Sequence, residues 1–369
     1  MAKQFREDTP KSIKSTIIEY IADRGEVTRN DVIQECGFSL PTVLQKIKEL
    51  KESGLIAEVG QSESSGGRKA KIISIIRDSR LALGINITSH HLEMVLVGLD
   101  GAILNKERIR INFKPSYTYY ELLWEKLEKF LSKNVDDTEK ILGIGVSLPA
   151  VLDNGNRIIR KSHAFQLENY SLKDLETVLP YPVIFENDAN AAAFSEKRFR
   201  TGTAFYLLLN DTVGGSFSVN GKPYGGINNK SSEIGHMIFI PDGKLCHCGK
   251  KGCVDGYCSA KILGGGDLPE FFSSLESGNE ENQLIWSDYL KNLSVVISNI
   301  RMLNDCEIIV GGYVGGYMEK YLSILQQLTM QYDYLDKDAL FIHCGKYRWE
   351  ASAYGVAFKL IHQFFSTVV

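Results

Sequence analysis

The stretch from Glu233 to Asp255 limits what this chain can fold into, because it gathers three cysteines and two histidines in a short segment. Three thiolates and one imidazole at this spacing suit Zn²⁺, which prefers a tetrahedral set of nitrogen and sulfur ligands. Gly249 and Gly252 allow the backbone to turn back so that the thiols can meet one ion. Four protein ligands leave no open position for an activated water, so the zinc is predicted to be structural. The predicted ligands are His236, Cys246, Cys248 and Cys253.

Two other side chains compete for the ion in this prediction. His247 lies between two of the predicted ligands and is expected to point away, and Cys258 is a weaker rival. A chance group of core cysteines, or a disulfide, is the alternative interpretation. It is disfavoured because the chain has seven cysteines, an odd number, and three of them are clustered. A redox sensor is also disfavoured, since thiolates in a closed zinc site are usually structural.

Composition favours a protein of two or three globular domains. The chain has 369 residues, of which 44% are hydrophobic and 24% charged, with a net charge of −3. No apolar run approaches the roughly 18 residues that span a bilayer, and the first residues lack the pattern of a signal peptide. We therefore expect a cytoplasmic protein with no membrane partner. The near-neutral charge means that any nucleic-acid contact has to come from a local arrangement.

Residues 1–78 show the pattern of a winged helix-turn-helix domain. Capping residues mark three helix starts, at Thr9-Pro10, at Thr28 and at Ser39. A tight turn precedes the third helix, as in helix-turn-helix domains. Two strand-like runs then enclose a polar, Gly-rich loop, the expected wing.

The third helix is expected to lie in a major groove, and the basic wing suits a narrow minor groove. The predicted DNA contacts are Thr42 and Gln45 at base edges, Lys46 and Lys48 at phosphates, and Arg68 and Lys69 on the wing. The alternative is a small helical domain for protein contacts, with its lysines merely solvated. DNA binding is favoured because helices, turn and basic wing occur in the right order.

From residue 79 the chain changes to alternating strand and helix patterns. Two such series occur, each opening with a buried strand and a hairpin, and Asp100-Gly101 and Asn220-Gly221 are the turn signals. Two similar sheets flanked by helices predict an α/β body with two lobes, 79–200 and 201–369, and a cleft between them. The second lobe is expected to carry the zinc loop and the C-terminal helix.

Three motifs together resemble the ROK family of repressors and sugar kinases. They are the run from Glu186 to Ala192, the run from Glu233 to His236, and the Cys-x-Cys-Gly-x-x-Gly-Cys loop. The resemblance covers essentially the whole chain, and the winged helix is similar to that of the repressor branch, whose members respond to xylose, N-acetylglucosamine or glucose. It implies an actin-like, hexokinase-like ATPase fold for the body behind the N-terminal winged helix-turn-helix.

The resemblance also implies a sugar site. Asn187 and Asp188 match a pair that hydrogen-bonds sugar hydroxyls, and in the kinases the matching aspartate is the general base. Glu233 matches a residue that holds two neighbouring hydroxyls. His236 matches one that binds zinc and faces the sugar, since one ring nitrogen can bind a metal while the other donates a hydrogen bond. Asp255 falls where the family has a glutamate, one methylene longer.

The phosphate-binding segments of the family kinases are altered here. Where the kinases have Asp-x-Gly-Gly-Thr, this chain reads Asn86-Ile87-Thr88-Ser89-His90, so the carboxylate and both glycines are lost. The second segment runs from Asp211 to Gly215, and its carboxylate would repel ATP. Because phosphoryl transfer needs Mg²⁺ and cradled phosphates, no kinase activity is predicted. Pro149-Ala150 and His163-Ala164-Phe165 also depart from the family's sugar site.

These features predict a sugar-responsive transcriptional regulator, more specifically a repressor, with a catalytically dead kinase-like body. Its expected partners are operator DNA, a small sugar or sugar derivative, and structural Zn²⁺. A homodimer or a dimer of dimers is expected, because operators are usually two-fold sites. Two alternatives stay open: an active, ATP-dependent sugar kinase that carries a DNA-binding module, and a constitutive DNA-binding protein whose body only dimerises.

Overall fold

The computed structural model describes residues 11–61, 70–153, 155, 157–199 and 202–369. Its N-terminal part consists of α1 (Ile13–Arg24), β1 (Glu26–Thr28), α2 (Arg29–Cys36), α3 (Leu40–Glu52), β2 (Ile56–Gln61) and β3 (Lys71–Ile75). The predicted helix start at Thr9-Pro10 and the predicted wing contacts Arg68 and Lys69 lie outside the described residues. Helix α1 begins at Ile13, because the side chain of Ser12 caps it by accepting the Ser15 N–H.

The caps predicted for the other two helices of this domain are confirmed. Thr28 and Asp31 form a reciprocal capping box at the start of α2. The side chain of Ser39 accepts a hydrogen bond from the Thr42 N–H at the start of α3. Strand β1, which the sequence did not reveal, pairs with β3, so that the sheet has the order β1-β3-β2. The result is the predicted winged helix-turn-helix arrangement.

The first lobe of the body is an α/β unit. Its elements are β4 (Leu81–Ile87), β5 (His91–Gly98), β6 (Ile103–Arg110), α4 (Tyr117–Asn134), β7 (Ile141–Leu148), β8 (Val151–Leu152), β9 (Ile158–Ser162), β10 (Leu167–Ser171), α5 (Lys173–Val178), β11 (Val183–Asn187) and α6 (Asp188–Ser195). The main sheet has the order β11-β7-β4-β5-β6. A second, smaller antiparallel sheet has the order β10-β9-β8. Every residue of β4 is buried, as expected for a central strand covered on both faces.

The second lobe repeats this plan. Its elements are β12 (Ala204–Leu209), β13 (Val213–Val219), β14 (Lys222–Pro223), α7 (Asp255–Cys258), α8 (Leu268–Glu276), α9 (Glu280–Leu303), β15 (Glu307–Gly311), α10 (Gly312–Met318), α11 (Leu322–Thr329) and β16 (Ile342–Cys344), followed by α12 (Ala351–Thr367). The sheet order is β14-β13-β12-β15-β16. In each lobe three parallel strands carry an antiparallel pair at one side, so the two-lobed α/β prediction is confirmed. Among the helices of the described residues, none combines the length and apolar character needed to cross a bilayer.

The C-terminal helix α12 packs on the sheet of the first lobe, although the prediction grouped it with the second. It lies against β4, β5 and β7 on one side and against α6 on the other. Two glycines permit this approach. A Cβ at Gly84 would lie 1.9 Å from the carbonyl oxygen of Ala353, and one at Gly355 would lie 1.7 Å from that of Ala191. The sequence pattern of α12 identified a helix but not the sheet it would cover.

Substitution of Gly355 tests how much the molecule depends on this contact. Alanine normally stabilises a helix interior relative to glycine by about 1 kcal/mol. Here the added methyl group would collide with the backbone of α6, so we expect Gly355→Ala to destabilise the protein by about 1–3 kcal/mol. Thermal unfolding followed by circular dichroism measures the change. Gly202→Ala is the control, since a Cβ at Gly202 meets nothing within 4 Å; equal melting temperatures for the two variants would contradict the close packing.

Candidate functional site

A cavity of about 310 Å³ opens between the two lobes. Its size and its mixture of polar and apolar walls suit a small polar molecule. From the first lobe it is lined by Pro149, Ala150, Val151, Lys161, Ser162, His163, Ala164, Asn187, Asp188 and Ala189. From the second lobe it is lined by Thr212, Val213, Gly214, Gly215, Lys230, Ser232, Glu233, His236 and His247. Four of the five residues predicted to bind a sugar are therefore brought together.

Asn187 and Asp188 enter the cavity at the junction of β11 and α6. Asn187 caps the helix, its Oδ1 accepting the Asn190 N–H at 3.0 Å, and its Nδ2 donates to the carbonyl of Ala150 at 3.1 Å. Asp188 Oδ1 accepts its neighbour's N–H, from Ala189, at 2.9 Å. Burial raises the pKa of Asp188 to about 7, and the negative charge of Glu233 adds to this increase. These contacts hold the Asp188 carboxyl group in the cavity wall.

Glu233 and His236 reach the cavity from a short 3₁₀ turn in the second lobe. Burial raises the pKa of Glu233. Burial also lowers the pKa of His236 to about 4, helped by the neighbouring rings of His163 and His247. The neutral imidazole is the form that binds metal. The ring of His163, from the first lobe, lies 4.8 Å from that of His236, centroid to centroid, so imidazoles of both lobes meet here.

The four predicted metal ligands are gathered in space, with their donor atoms all within 4.8 Å of one another. Cys246 Sγ lies 3.7 Å from His236 Nδ1, and Cys248 Sγ lies 3.7 Å from Cys253 Sγ. Gly249 and Gly252 adopt positive φ angles of 89° and 80°, as the predicted turn requires. A cluster of one imidazole and three thiols at this spacing can hold a metal ion such as zinc.

The rival ligands have different positions. Cys258 is fully buried and lies outside the cluster. His247 Nδ1 is 3.2 Å from Asp255 Oδ2, and these two residues with Cys246 form a second group that can hold a metal. Asp255 Oδ1 accepts the Val213 N–H at 2.7 Å. The carboxylate of Asp255, a predicted sugar contact, therefore contacts Val213 and His247. Asp255 is not among the residues that line the cavity.

Asn86, the first residue of the segment compared above with the first phosphate-binding segment of the family kinases, belongs to a buried network that joins the lobes. Asn86 donates to Glu93 Oε2 at 2.8 Å and accepts from Ser147 at 2.9 Å. Glu93 Oε1 accepts from the hydroxyl of Tyr313, on α10 of the second lobe, at 2.7 Å. The Arg108 guanidinium lies 3.1 Å from the same oxygen and 4.4 Å from the centre of the Tyr313 ring. Burial raises the pKa of Glu93 to about 7, although Arg108 opposes the increase.

Sequence reasoning missed two parts of this site. Glu93 lies in a strand of apolar residues and Tyr313 follows a pair of glycines, so neither position looked functional. Lys161 and Lys230 line the cavity, but isolated lysines are common on surfaces. Only the meeting of the lobes reveals these four residues.

The predicted DNA-binding face of α3 is partly exposed. Gln45 and Lys48 are exposed. The hydroxyl of Thr42 lies 2.8 Å from that of Ser39, at the start of the helix. Lys46 Nζ lies 3.0 Å from Glu49 Oε2, so this lysine is paired within the domain. Leu44, which the prediction did not include, is 38% exposed on the same face.

Replacement of Asp188 tests its environment through the pH dependence of stability. The folded-state pKa is raised above the value in the unfolded chain, so below pH 4 both states are protonated and the group has no net effect. Above the ordinary value of 3.8 the carboxyl of the unfolded chain ionises while the buried carboxyl stays protonated, so stability falls as the pH rises towards about 7, and the full cost remains at higher pH. We expect Asp188→Asn to raise the melting temperature at pH 8, by roughly 1–2 °C for each kcal/mol relieved, and to change it little at pH 4. Melting curves from pH 4 to 8 measure this, and an equal shift at every pH would contradict it.

Comparison with known proteins agrees with this architecture. The chain is 25% identical over 255 residues to the xylose repressor of Bacillus spizizenii, an alignment that covers 67% of this chain and 65% of that protein. The matched segment is thus about two thirds of the length of that repressor.

Solved structures share the fold. A ROK family transcriptional regulator, a homologue of the E. coli MLC protein, superposes with a TM-score of 0.72 at 19% identity over 96% of both chains. A ROK family glucokinase from Streptomyces griseus superposes with a TM-score of 0.61 at 19% identity, over 76% of this chain and 98% of that one.

Two family models match the chain itself. A winged helix-turn-helix DNA-binding model matches residues 12–57, which agrees with the domain built from α1 to β3. The model of the ROK family matches residues 82–363, which include both lobes and most of α12. Because that match covers well over half of the sequence, the protein belongs to the ROK family.

Proposed function

We propose that this protein is a sugar-responsive transcriptional regulator, and more specifically a cytoplasmic repressor. The observation that carries the proposal is the combination of a winged helix with a cavity that holds Asn187, Asp188, Glu233 and His236. The similarity to the xylose repressor of Bacillus spizizenii supports this proposal. The effector in this proposal is a small sugar or sugar derivative whose hydroxyl groups bond to the acidic and amide side chains of the cavity.

The body is proposed to lack kinase activity. Phosphoryl transfer needs Mg²⁺ and backbone N–H groups that cradle phosphates. The altered segment begins at Asn86, which bonds to Glu93, and Glu93 is already paired with Arg108 and Tyr313. A nucleotide phosphate would have to displace this buried network. Asp188 survives at the position of the general base, and in this proposal it binds an effector hydroxyl without activating it.

DNA binding is proposed for the exposed face of α3. Gln45 and Thr42 are assigned to base edges and Lys46 and Lys48 to phosphates. Arg68 and Lys69 are assigned to DNA contacts of the wing, which suits a narrow minor groove. The exposed Leu44 suits contact with a thymine methyl group. A dimer is proposed as the binding unit, because one small module binds weakly and operators usually have two-fold symmetry.

Zinc is proposed as a structural ion held by His236, Cys246, Cys248 and Cys253. With four protein ligands the ion has no open position for water. Its role is to fix the loop that carries His236 and His247 to the cavity wall. The zinc therefore supports effector binding without taking part in chemistry.

The proposal is tested by DNA binding in the presence of candidate sugars. DNA selected from a random-sequence library by the purified protein is the probe, and its affinity is measured by fluorescence anisotropy with D-xylose, D-glucose, N-acetyl-D-glucosamine and their phosphates. We expect one of these to change the Kd for DNA by about 5–150-fold. Glu233→Gln should keep DNA binding and lose the response.

Two outcomes would contradict the proposal. If none of the sugars changes the affinity for DNA, the protein is not a sugar sensor and the body only supports dimerisation. If a sugar stimulates ATP hydrolysis and Asp188→Asn abolishes it, the protein is an active kinase.

Removal of one zinc ligand tests the role of the metal. We expect Cys248→Ala to lose most of the roughly one zinc ion that each chain would hold with four ligands, to lower the melting temperature, and to weaken the response to the sugar identified above. Zinc content is measured by mass spectrometry of the elements. Cys344→Ala, a cysteine on β16 outside the metal cluster, is the control. Full sugar response in zinc-free Cys248→Ala would contradict the link between loop and cavity.

A further inference from the structure

Helix α6 connects the cavity with the DNA-binding domain. It begins at Asp188 in the cavity wall and ends at Ser195. Eight helical residues span about 12 Å. The chain continues through Glu196 and Lys197 to Arg198, which contacts the winged helix. One short, rigid element thus reaches from the proposed effector site to the first helix of the DNA-binding domain.

Arg198 holds the C-terminal end of α1. Its Nη2 donates to the carbonyl oxygen of Ala22 at 2.7 Å, and its Nε lies 3.6 Å from Asp23 Oδ1. The guanidinium stacks over the ring of Phe358 on α12, 4.9 Å from its centre. The last carbonyls of a helix have no partner within the helix and carry partial negative charge. The guanidinium of Arg198, a residue of the body, therefore supplies a hydrogen-bond partner for the Ala22 carbonyl at the end of α1.

The other end of α1 is held as well. Ser12 Oγ donates to the carbonyl oxygen of Val368, just beyond α12, at 2.6 Å. Between the two ends, residues of α1 and α12 belong to one apolar cluster. Its members from these helices include Ile17, Ile18, Ile21, Phe358, Ile361 and Phe365. Helix α1 is therefore fixed to the body along its length, with Arg198 as the link to α6.

Helix α6 contacts α12 closely at two points. Ser352, at the start of α12, donates to the carbonyl oxygen of Asp188 at 3.0 Å. Further along, Gly355 brings α12 against the backbone of Ala191. Packed elements of this kind move as units. A displacement of the cavity end of α6 has to appear at its other end, where Arg198 contacts α1.

We propose that Arg198 is the positioning residue through which the cavity sets the orientation of the winged helix, with α6 as the lever between them. The inference rests on the proposed function of the cavity as an effector site. Arg198 is not among the described residues that line the cavity. It acts on DNA affinity only through α1.

The test compares Arg198→Ala with Arg198→Lys in the full chain. Arg301→Ala is a matched control, because the side chains of Arg198 and Arg301 are 16% and 17% exposed. Arg301 also pairs with an aspartate, donates to a backbone carbonyl and stacks on a ring, but it does so entirely within the second lobe. Loss of stability alone should therefore affect both alanine variants, whereas loss of positioning should affect only Arg198→Ala.

The first readout is the effect of D-xylose on DNA affinity, with D-xylose binding measured separately by titration calorimetry. We expect Arg198→Ala to bind D-xylose within about twofold of the wild-type protein while the ratio of DNA Kd values with and without D-xylose falls towards 1. Arg198→Lys should restore part of the ratio, since its ammonium can still donate to the Ala22 carbonyl. If the ratio of DNA Kd values with and without D-xylose is the same in Arg198→Ala as in the wild-type protein, the proposed transmission through α6 and Arg198 is wrong.

The second readout needs no sugar. We expect Arg198→Ala to speed hydrogen exchange of the last-turn amides of α1 and to change the Kd for the selected DNA at least threefold, and Arg301→Ala to do neither. Unchanged exchange and DNA affinity in Arg198→Ala would overturn the positioning role even if sugars regulate the protein. If instead no sugar affects the wild-type protein while Arg198→Ala changes both quantities, the effector function fails and the positioning role stands.

Discussion

The packing of α12 between α6 and β4 is the contact on which the rest of the structure depends. Gly84 and Gly355 remove the side chains that would hold these backbones apart, so carbonyl groups of neighbouring elements approach them directly. Interiors packed this closely tolerate little change in volume. Because α12 also shares an apolar cluster with the winged helix, one helix supports both the cavity wall and the DNA-binding domain. Movement of either part has to be accommodated by α12.

Two buried carboxyl groups, those of Glu93 and Asp188, differ in their surroundings. Glu93 is fully enclosed, and its cost of burial is offset by Asn86, Arg108 and Tyr313, which come from both lobes. Asp188 faces the cavity and accepts an N–H from its own helix. Both have a pKa raised to about 7 by burial. The first group joins the lobes, whereas the second keeps room beside it for a hydroxyl group of a ligand.

The segment from His236 to Cys253, which holds the four predicted metal ligands, shows which parts of a site a local sequence pattern can predict. Its four donor residues lie close in sequence, and glycines with positive φ angles allow the turn, so spacing alone predicted the cluster that forms. The sequence did not predict which group the Asp255 side chain contacts, although Asp255 is only two residues from Cys253. Its carboxylate bonds to the Val213 N–H, and that strand comes from elsewhere in the lobe. The family pattern gave the residue a place near the sugar, but the partner of its side chain is a tertiary contact.

The sequence by itself determined the elements and the local chemistry: the winged helix with its capping residues, two α/β lobes, the metal cluster and the Asn187-Asp188 motif. These follow from periodicity, capping and short spacings, which act over a few residues. Tertiary structure alone decided that α12 covers the first lobe, that Glu93 meets Tyr313 across 220 residues, and that Arg198 meets Ala22 across 176. Such pairs depend on which buried faces fit together, and a backbone approach as close as that of Gly355 to Ala191 is a property of two surfaces that neither segment expresses alone.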